Sequence, residues 1–511
     1  MVIFLKIEGE VIKMFIDIKI VLIVVFFASM IIIGIRAKKH ASSVNGFVLG
    51  GSTVGPWLSA FSYGTAYFSA VVFVGYAGQF GYRFGLASTW IGIGNAVIGS
   101  WLAWVVLGRR TKLMTRHLQA KTMPEFFEKR YNCKALKTVA SIIIFIFLVP
   151  YTASVYNGLS RLFAMAFDVP FEICVIVMAL LAAMYVVVGG YMATAMNDFI
   201  QGIIMLVGIV VVIIAVVNGQ GGFVEAFRKL SEIPSQEIGT IGQEGTYTSL
   251  FGPHPLDLLG VVLLTSLGTW GLPQMVQKFY SIKDEKAIKI ATIVSTGFAI
   301  VVAGGTYFMG GFGRLFDNPS LYSEEGSVIY DKIVPHMMST LPDILLGVVI
   351  ILVLSASLST LSSLVLTSSS TVTLDLIRGN LIKKDDEKKI LLLLKIFIVV
   401  FIIISVVLSL NGSQFIAQLM GISWGALAGA FLAPFLYGLY WKKTTTAAVW
   451  VSFASGLFIT VGNMLHPITS SINAGGIAMI MGLIIVPVVS LLGKRANKKE
   501  VEEMFACFKK Q

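Results

Sequence analysis

The side chains best suited to chemistry in this chain are hydroxyls. From Leu354 to Asp375 it runs Leu-Ser-Ala-Ser-Leu-Ser-Thr-Leu-Ser-Ser-Leu-Val-Leu-Thr-Ser-Ser-Ser-Thr-Val-Thr-Leu-Asp, after an apolar stretch from Ile344 to Val353. The length and flanks predict a membrane-spanning helix. A hydroxyl facing lipid finds no partner, so such a row must face protein, water or an ion. Ala356, Ser359 and Thr360 stand at i, i+3 and i+4, on one helical face. Two neutral hydroxyl oxygens and a carbonyl suit a hard monovalent cation. Helix–helix packing, where Ser and Thr are common, is the competing use of the same residues.

A second group of polar residues lies in segments that glycine and proline interrupt. Residues 54–80 hold Gly55-Pro56, Gly64, Gly75 and Gly78, with Ser62, Tyr63, Thr65, Tyr67 and Ser69 between them. Residues 256–276 hold Gly268-Thr-Trp-Gly-Leu-Pro273. Broken helices expose backbone polar groups only where they line a cavity, and interrupted segments in matching halves of a chain mark midplane binding sites. Tyr67, Ser69, Thr269, Trp270 and Gln274, joined by Tyr151, are therefore the expected lining of a solute cavity. Trp270 as core packing is the alternative, as is close packing for the glycines.

The elements that must position these residues follow from composition. Of 511 residues, 56% are hydrophobic and 13% charged, and long apolar runs recur from end to end. This predicts an all-α polytopic membrane protein. About 13 runs are long enough to cross a ~30 Å core: 16–36, 54–80, 86–108, 137–166, 171–189, 195–218, 256–276, 287–312, 342–374, 389–410, 413–440, 444–464 and 473–493. The interrupted segments are the second and seventh, five apart and opposite in direction, which predicts two inverted five-helix repeats at 50–218 and 255–440. A helix at 16–36 precedes them, and two helices at 444–493 follow.

Basic residues cluster in alternate loops: Arg36, Lys38 and Lys39; Arg109 to Arg130; Lys278 to Lys289; Arg378 to Lys389; Lys442 and Lys443; and Lys494 to Lys499. The positive-inside rule then puts an N-terminal segment, 1–15, outside and a tail, 494–511, in the cytoplasm of a multi-pass cell-membrane protein. Residues 1–15 have no small-residue cleavage site and do not resemble a signal peptide; whether translation starts at Met1 or Met14 stays open.

The net charge of +12 is explained by this topology, not by nucleic-acid binding. Cys133, Cys174 and Cys507 lack metal-ligand or disulfide spacing, and the five histidines are scattered. No nucleophile elbow, Walker loop or dinucleotide fingerprint supports an enzyme, so no residue is expected to be catalytic.

Four motifs carry a family resemblance. They are Gly189-Gly-Tyr-Met-Ala-Thr-Ala-Met-Asn-Asp198-Phe-Ile-Gln201; Gly268-Thr-Trp-Gly-Leu-Pro-Gln-Met-Val-Gln-Lys-Phe-Tyr280 with Lys283-Asp-Glu-Lys286; Ser357-Leu-Ser-Thr-Leu-Ser-Ser363; and Trp424-Gly-Ala with Ala433-Pro-Phe-Leu-Tyr-Gly-Leu-Tyr-Trp-Lys442. In this order they resemble the sodium:solute symporters, the group of sodium/proline, sodium/pantothenate, sodium/sialic-acid and sodium/glucose carriers, across residues 16–490. The resemblance implies a LeuT-like core working by alternating access. It implies sodium as the coupling ion, no other cofactor or metal, and a small organic solute as cargo. It places a sodium site on the carbonyls of Thr65, Phe68 and Ala356 and the hydroxyls of Ser359 and Thr360, with Asp198 on the sodium pathway.

Two departures narrow the solute. Proline carriers have an Asp where Tyr67 aligns. The sugar and sialic-acid carriers have an Asn-Ile-Ser…Glu-Gln run where this chain has Tyr67-Phe-Ser-Ala-Val-Val72. Sugar hydroxyls without those partners would be costly to bury. An amino acid such as proline, or a small carboxylate or vitamin such as pantothenate, is expected. The alternatives are a proton-coupled carrier of the same fold and a channel- or sensor-like relative. Oligomeric state and sodium:solute stoichiometry are not legible.

Overall fold

The computed structural model describes residues 2–7, 10–15, 18–378, 386–411, 416–493 and 497–508. Lys383, Lys384, Lys494 and Arg495, used in the topology argument, lie outside the described residues, as does Met1. Among the described residues the chain is mainly helical, with a short antiparallel hairpin, Val2–Ile7 with Glu10–Phe15, ahead of the first helix. Twelve helices suffice to describe the site. They are α1 (Ile18–Ala37), α2 (Pro56–Tyr67), α3 (Lys134–Phe167), α4 (Phe171–Gly219), α5 (Pro255–Gly271), α6 (Pro273–Ser281), α7 (Glu285–Ala299), α8 (Asp343–Thr371), α9 (Glu387–Asn411), α10 (Ile416–Tyr440), α11 (Thr446–Leu465) and α12 (Ser471–Leu492).

Among the described residues, ten helices are long and apolar enough to cross a membrane, or eleven when α5 and α6, bent by 47°, form one span. The expected thirteen is not confirmed by this measure. The difference falls where chain breaks cut or merge the spans. Val71–Leu118 counts as one 48-residue stretch although Gly85 turns within it, and Phe171–Met184 counts only as a shorter apolar helix. Within α4, Gly190 takes φ 56 and ψ −151, a backbone state that L residues avoid. That single residue divides the 49-residue helix.

Two further breaks matter most, and each has a local cause. After Tyr67, Phe68 is extended (φ −92, ψ 112). Ser69 then starts the next helical turn: its carbonyl accepts the N–H groups of Val72 and Phe73, and its Oγ accepts that of Val71. Ser is well suited to such a helix start. At the second break Leu272 is extended (φ −81, ψ 123), because the ring of Pro273 disfavours a helical residue before it. Proline is tolerated as the first residue of α6 because its missing N–H is not needed there.

The hydroxyl-rich helix α8 is central. It packs against α4, α3, α9, α1 and α2, and Leu352 to Asp375 is buried without interruption. None of its hydroxyls faces lipid. Helix α4 approaches α2 closely at Gly202, where a Cβ would collide with Phe61 and press on Thr65. Helices α10, α11 and α12 pack on one another beside this core.

Candidate functional site

In a continuous helix the carbonyls of Thr65 and Phe68 would accept the N–H groups of residues 69 and 72. The break diverts Val72 N–H to Ser69, and both carbonyls turn instead toward α8. Thr360 Oγ1 lies 3.2 Å from Thr65 O, 3.3 Å from Phe68 O and 3.1 Å from Ala356 O. Ser359 Oγ lies 3.2 Å from Thr65 O and 3.0 Å from Ala356 O. Three carbonyls and two hydroxyls thus converge at one point between α2 and α8, all from fully buried residues. One hydroxyl cannot donate to three carbonyls at once, so the cluster has acceptor capacity to spare. Such a neutral oxygen cage suits a monovalent cation.

Packing accounts for other hydroxyls on α8. Ser362, Ser369 and Ser370 donate to carbonyls of their own helix. Ser357, one position off the cage face, accepts the N–H of Ala70 at 3.3 Å and so steadies the broken segment.

Of the residues expected to line a solute cavity, all six are buried, Trp270 least so at 8% exposed. Tyr67, Tyr151 and Gln274 carry polar atoms with no hydrogen-bond partner among the described residues, including both ends of the Gln274 amide. The Tyr151 ring meets Trp424 edge-on at 5.8 Å, and Trp424 in turn covers Gly268 just before the second break, where a Cβ would sit 2.8 Å from its ring. The Trp424 indole N–H is likewise without a partner. Buried polar groups are nearly always bonded, so these donors and acceptors have capacity for a further partner.

Thr269 and Trp270 turn elsewhere. Thr269 donates to Gly99 O at 3.0 Å and Trp270 Nε1 to Ile98 O at 2.9 Å. Those carbonyls belong to a π-helical turn, Asn95–Leu102. Ser69 is held by its capping bond to Val71.

The most informative residue that sequence reasoning misplaced is Lys278. Counted there as a loop charge, it lies in α6 and is fully buried, because the helix continues past Pro273 to Ser281. Its ammonium donates to Ser62 Oγ at 2.8 Å and Ser363 Oγ at 3.0 Å. Ser62 donates to Asp198 Oδ2 at 2.6 Å. Asp198 is fully buried as well. A lysine five residues after a helix-breaking Gly-Leu-Pro was the available signal. Trp424 stood in a quoted motif but without an assigned contact.

Contacts tie helices together on two sides of the site. On one side the backbones of Val54 and Ser281–Lys283 pair, with bonds of 3.2 and 3.0 Å, and Lys112 Nζ donates to Tyr280 O at 3.0 Å. At the other, Asp331 Oδ2 accepts the N–H of Ile416 at the start of α10 (3.3 Å) and lies 3.6 Å from Arg161 Nε on α3.

A bundle of buried, broken helices around a neutral oxygen cage defines a secondary transporter with a LeuT-like core. The chain belongs to the sodium:solute symporter family, which matches residues 47–456, and it is a multi-pass membrane protein that couples solute transport to sodium. It is 28% identical to the osmoregulated proline transporter OpuE of Bacillus subtilis, over 95% of this chain and 96% of that protein. It is also 28% identical to a sodium/proline symporter of Staphylococcus aureus, over 94% and 93%. Its fold matches a sodium-coupled sialic acid symporter in a substrate-bound outward-open state, with a TM-score of 0.75 at 17% identity, covering 94% of this chain and 99% of that one. Mhp1, a nucleobase-cation-symport-1 family transporter in a closed conformation, matches with a TM-score of 0.51 at 13% identity, over 90% and 97%.

Proposed function

We propose that this chain uses sodium entry to import a small zwitterionic amino acid of the proline class. The observation that carries the reading is the convergence of Thr65, Phe68 and Ala356 carbonyls with Ser359 and Thr360 hydroxyls at 3.0–3.3 Å, which we assign to sodium. Asp198, buried beside Ser62, lies on the sodium pathway. The orphaned groups of Tyr67, Tyr151, Gln274 and Trp424 are assigned to the solute. They carry no formal charge, which matches a solute of zero net charge, and the two relatives at 28% identity are named as proline carriers. Thr269 and Trp270 support this site from behind, and Ser69 through the break it caps. The repeats 50–218 and 255–440 form the moving core, with the N-terminus outside and the C-terminus cytoplasmic.

The test is uptake of radiolabelled L-proline by proteoliposomes under an inward sodium gradient, and separately under an inward proton gradient. Sodium-driven uptake is expected. Uptake driven by protons alone would establish the proton-coupled alternative. Competition by a short carboxylate or pantothenate, but not by L-proline, would replace the solute class.

A further inference from the structure

The seam between α2 and α8 carries a second polar cluster one helical turn from the first. Ser62 precedes Thr65 by three residues, and Ser363 follows Ser359 by four, so both clusters occupy the same facing stripes, roughly 5–6 Å apart. In this second cluster the Lys278 ammonium is held by Ser62 Oγ and Ser363 Oγ at 2.8 and 3.0 Å, and Ser62 passes its own proton toward Asp198 Oδ2 at 2.6 Å. Asp198 Oδ1 has no hydrogen-bond partner among the described residues. Ser62, Asp198 and Lys278 are fully buried and Ser363 is 1% exposed. The Tyr191 ring lies 5.0 Å from the ammonium.

Two hydroxyl oxygens around one cation, with a carboxylate one hydrogen bond further out through Ser62, form a polar cluster of the kind a free sodium ion would accept. Here the cation is part of the chain. A buried carboxylate without a counter-charge is strongly unfavourable, and Lys278 supplies that charge in a form that cannot dissociate. We propose that Lys278 is the fixed occupant of a second cation position on this seam and restricts the protein to one sodium ion per cycle. Its positive charge, one turn from the oxygen cage, also weakens sodium there and favours release. The inference rests on the assignment of that cage to sodium.

Radioactive sodium bound to the purified full-length protein in detergent gives the count directly, without a solute. The unaltered protein is expected to bind one ion. Lys278→Ala opens the position and should bind two, with the Hill coefficient of sodium binding rising from one toward two. Lys278→Met keeps the bulk without the charge; it should bind one ion, roughly tenfold or more tightly, as removal of a nearby like charge in a low-dielectric interior requires. Two ions in the unaltered protein would overturn the proposal, as would one ion in a monodisperse Lys278→Ala protein or an unchanged affinity in Lys278→Met. If Lys278→Ala does not fold, the native count and Lys278→Met still decide. Thr360→Ala separates the two readings: sodium binding that survives it unchanged overturns the cage assignment itself.

Discussion

The two helix breaks solve the same backbone problem in opposite ways. At Phe68 the freed carbonyls are met within the chain, by hydroxyls that α8 presents at matching height. At Leu272 the break is imposed by Pro273, and next to it Gln274 is left buried with neither end of its amide bonded. The first break is complete as a small cage and needs only a cation to replace weak hydroxyl donors. The second is incomplete and needs a larger polar ligand. A site that is pre-assembled should bind its ion alone, and a site left unsatisfied should gain most when the ion has already ordered its neighbour.

The strongest way to break this comparison is Thr360→Ala. It removes the hydroxyl that reaches all three carbonyls, and the expected loss is about 1–3 kcal/mol in sodium binding, roughly 5–150-fold. Solute binding at saturating sodium should persist. Ser362→Ala is the matched control, since Ser362 bonds only Ser359 O on its own helix. Ser357→Ala, which looks neutral from helical spacing, is not, because Ser357 holds the N–H of Ala70. Sodium titrations of uptake in the three variants check this, and equal sodium dependence in Thr360→Ala and the unaltered protein would remove the cage from the mechanism.

Gln274→Leu acts on the other break. The apolar isostere relieves the unbonded amide, so stability should hold or rise, while solute affinity falls about tenfold, the equivalent of ~1.4 kcal/mol. Sodium binding without solute should stay unchanged. By linkage the factor by which sodium tightens the solute must equal the factor by which the solute tightens sodium, and calorimetric titration of each ligand with and without the other measures both. A Gln274→Leu protein with full solute affinity would place the solute elsewhere.

Trp270→Phe should have a smaller effect and of another kind. It deletes the indole bond to Ile98 O, which costs about 0.5–1.5 kcal/mol of stability, and leaves solute affinity close to its original value. A large loss of solute affinity at full stability would return Trp270 to the cavity, as helical position alone suggests.

Legibility in the sequence follows the range of the interactions. Ser359, Thr360 and Ala356 could be grouped from i, i+3, i+4 spacing because a helix fixes their relative direction. Gly-Leu-Pro could be read as a break because proline acts on its immediate neighbour. Side-chain direction around a break could not be read. Thr269 and Trp270 face a π-helical turn about 170 residues away in sequence, and nothing in the Asn95–Leu102 segment announces a π turn. Lys278 was misread for a related reason: a lysine beyond an apolar run looks like a loop charge unless the helix restarts, and its partners Ser62 and Ser363 come from two distant helices. The breaks at Gly85 and Gly190 fall close to where the sequence reading divides its spans, 80/86 and 189/195.

The smallest expected effect concerns the tie between Asp331, Ile416 and Arg161. Asp331 stands outside the spans and joins α10 to α3 through Ile416 and Arg161. Burial raises its pKa above the ordinary carboxylate range, and Arg161 and the Ile416 N–H oppose that rise only in part. The folded chain therefore holds this proton more tightly than the unfolded one. Its contribution to stability is fully present below the unfolded value, about 3.9, and is lost as pH rises through the raised folded value. In Asp331→Asn the group no longer titrates, so the difference in Tm between variant and unaltered protein should widen as pH rises across that window and level off above it. Loosening this tie between α3 and α10 is expected to speed entry of sodium and solute by the same factor, where Thr360→Ala and Gln274→Leu separate them. A Tm difference that does not change with pH would show that Asp331 keeps its charge in the fold, and unequal changes in the two entry rates would show that the breaks open to solution by different routes.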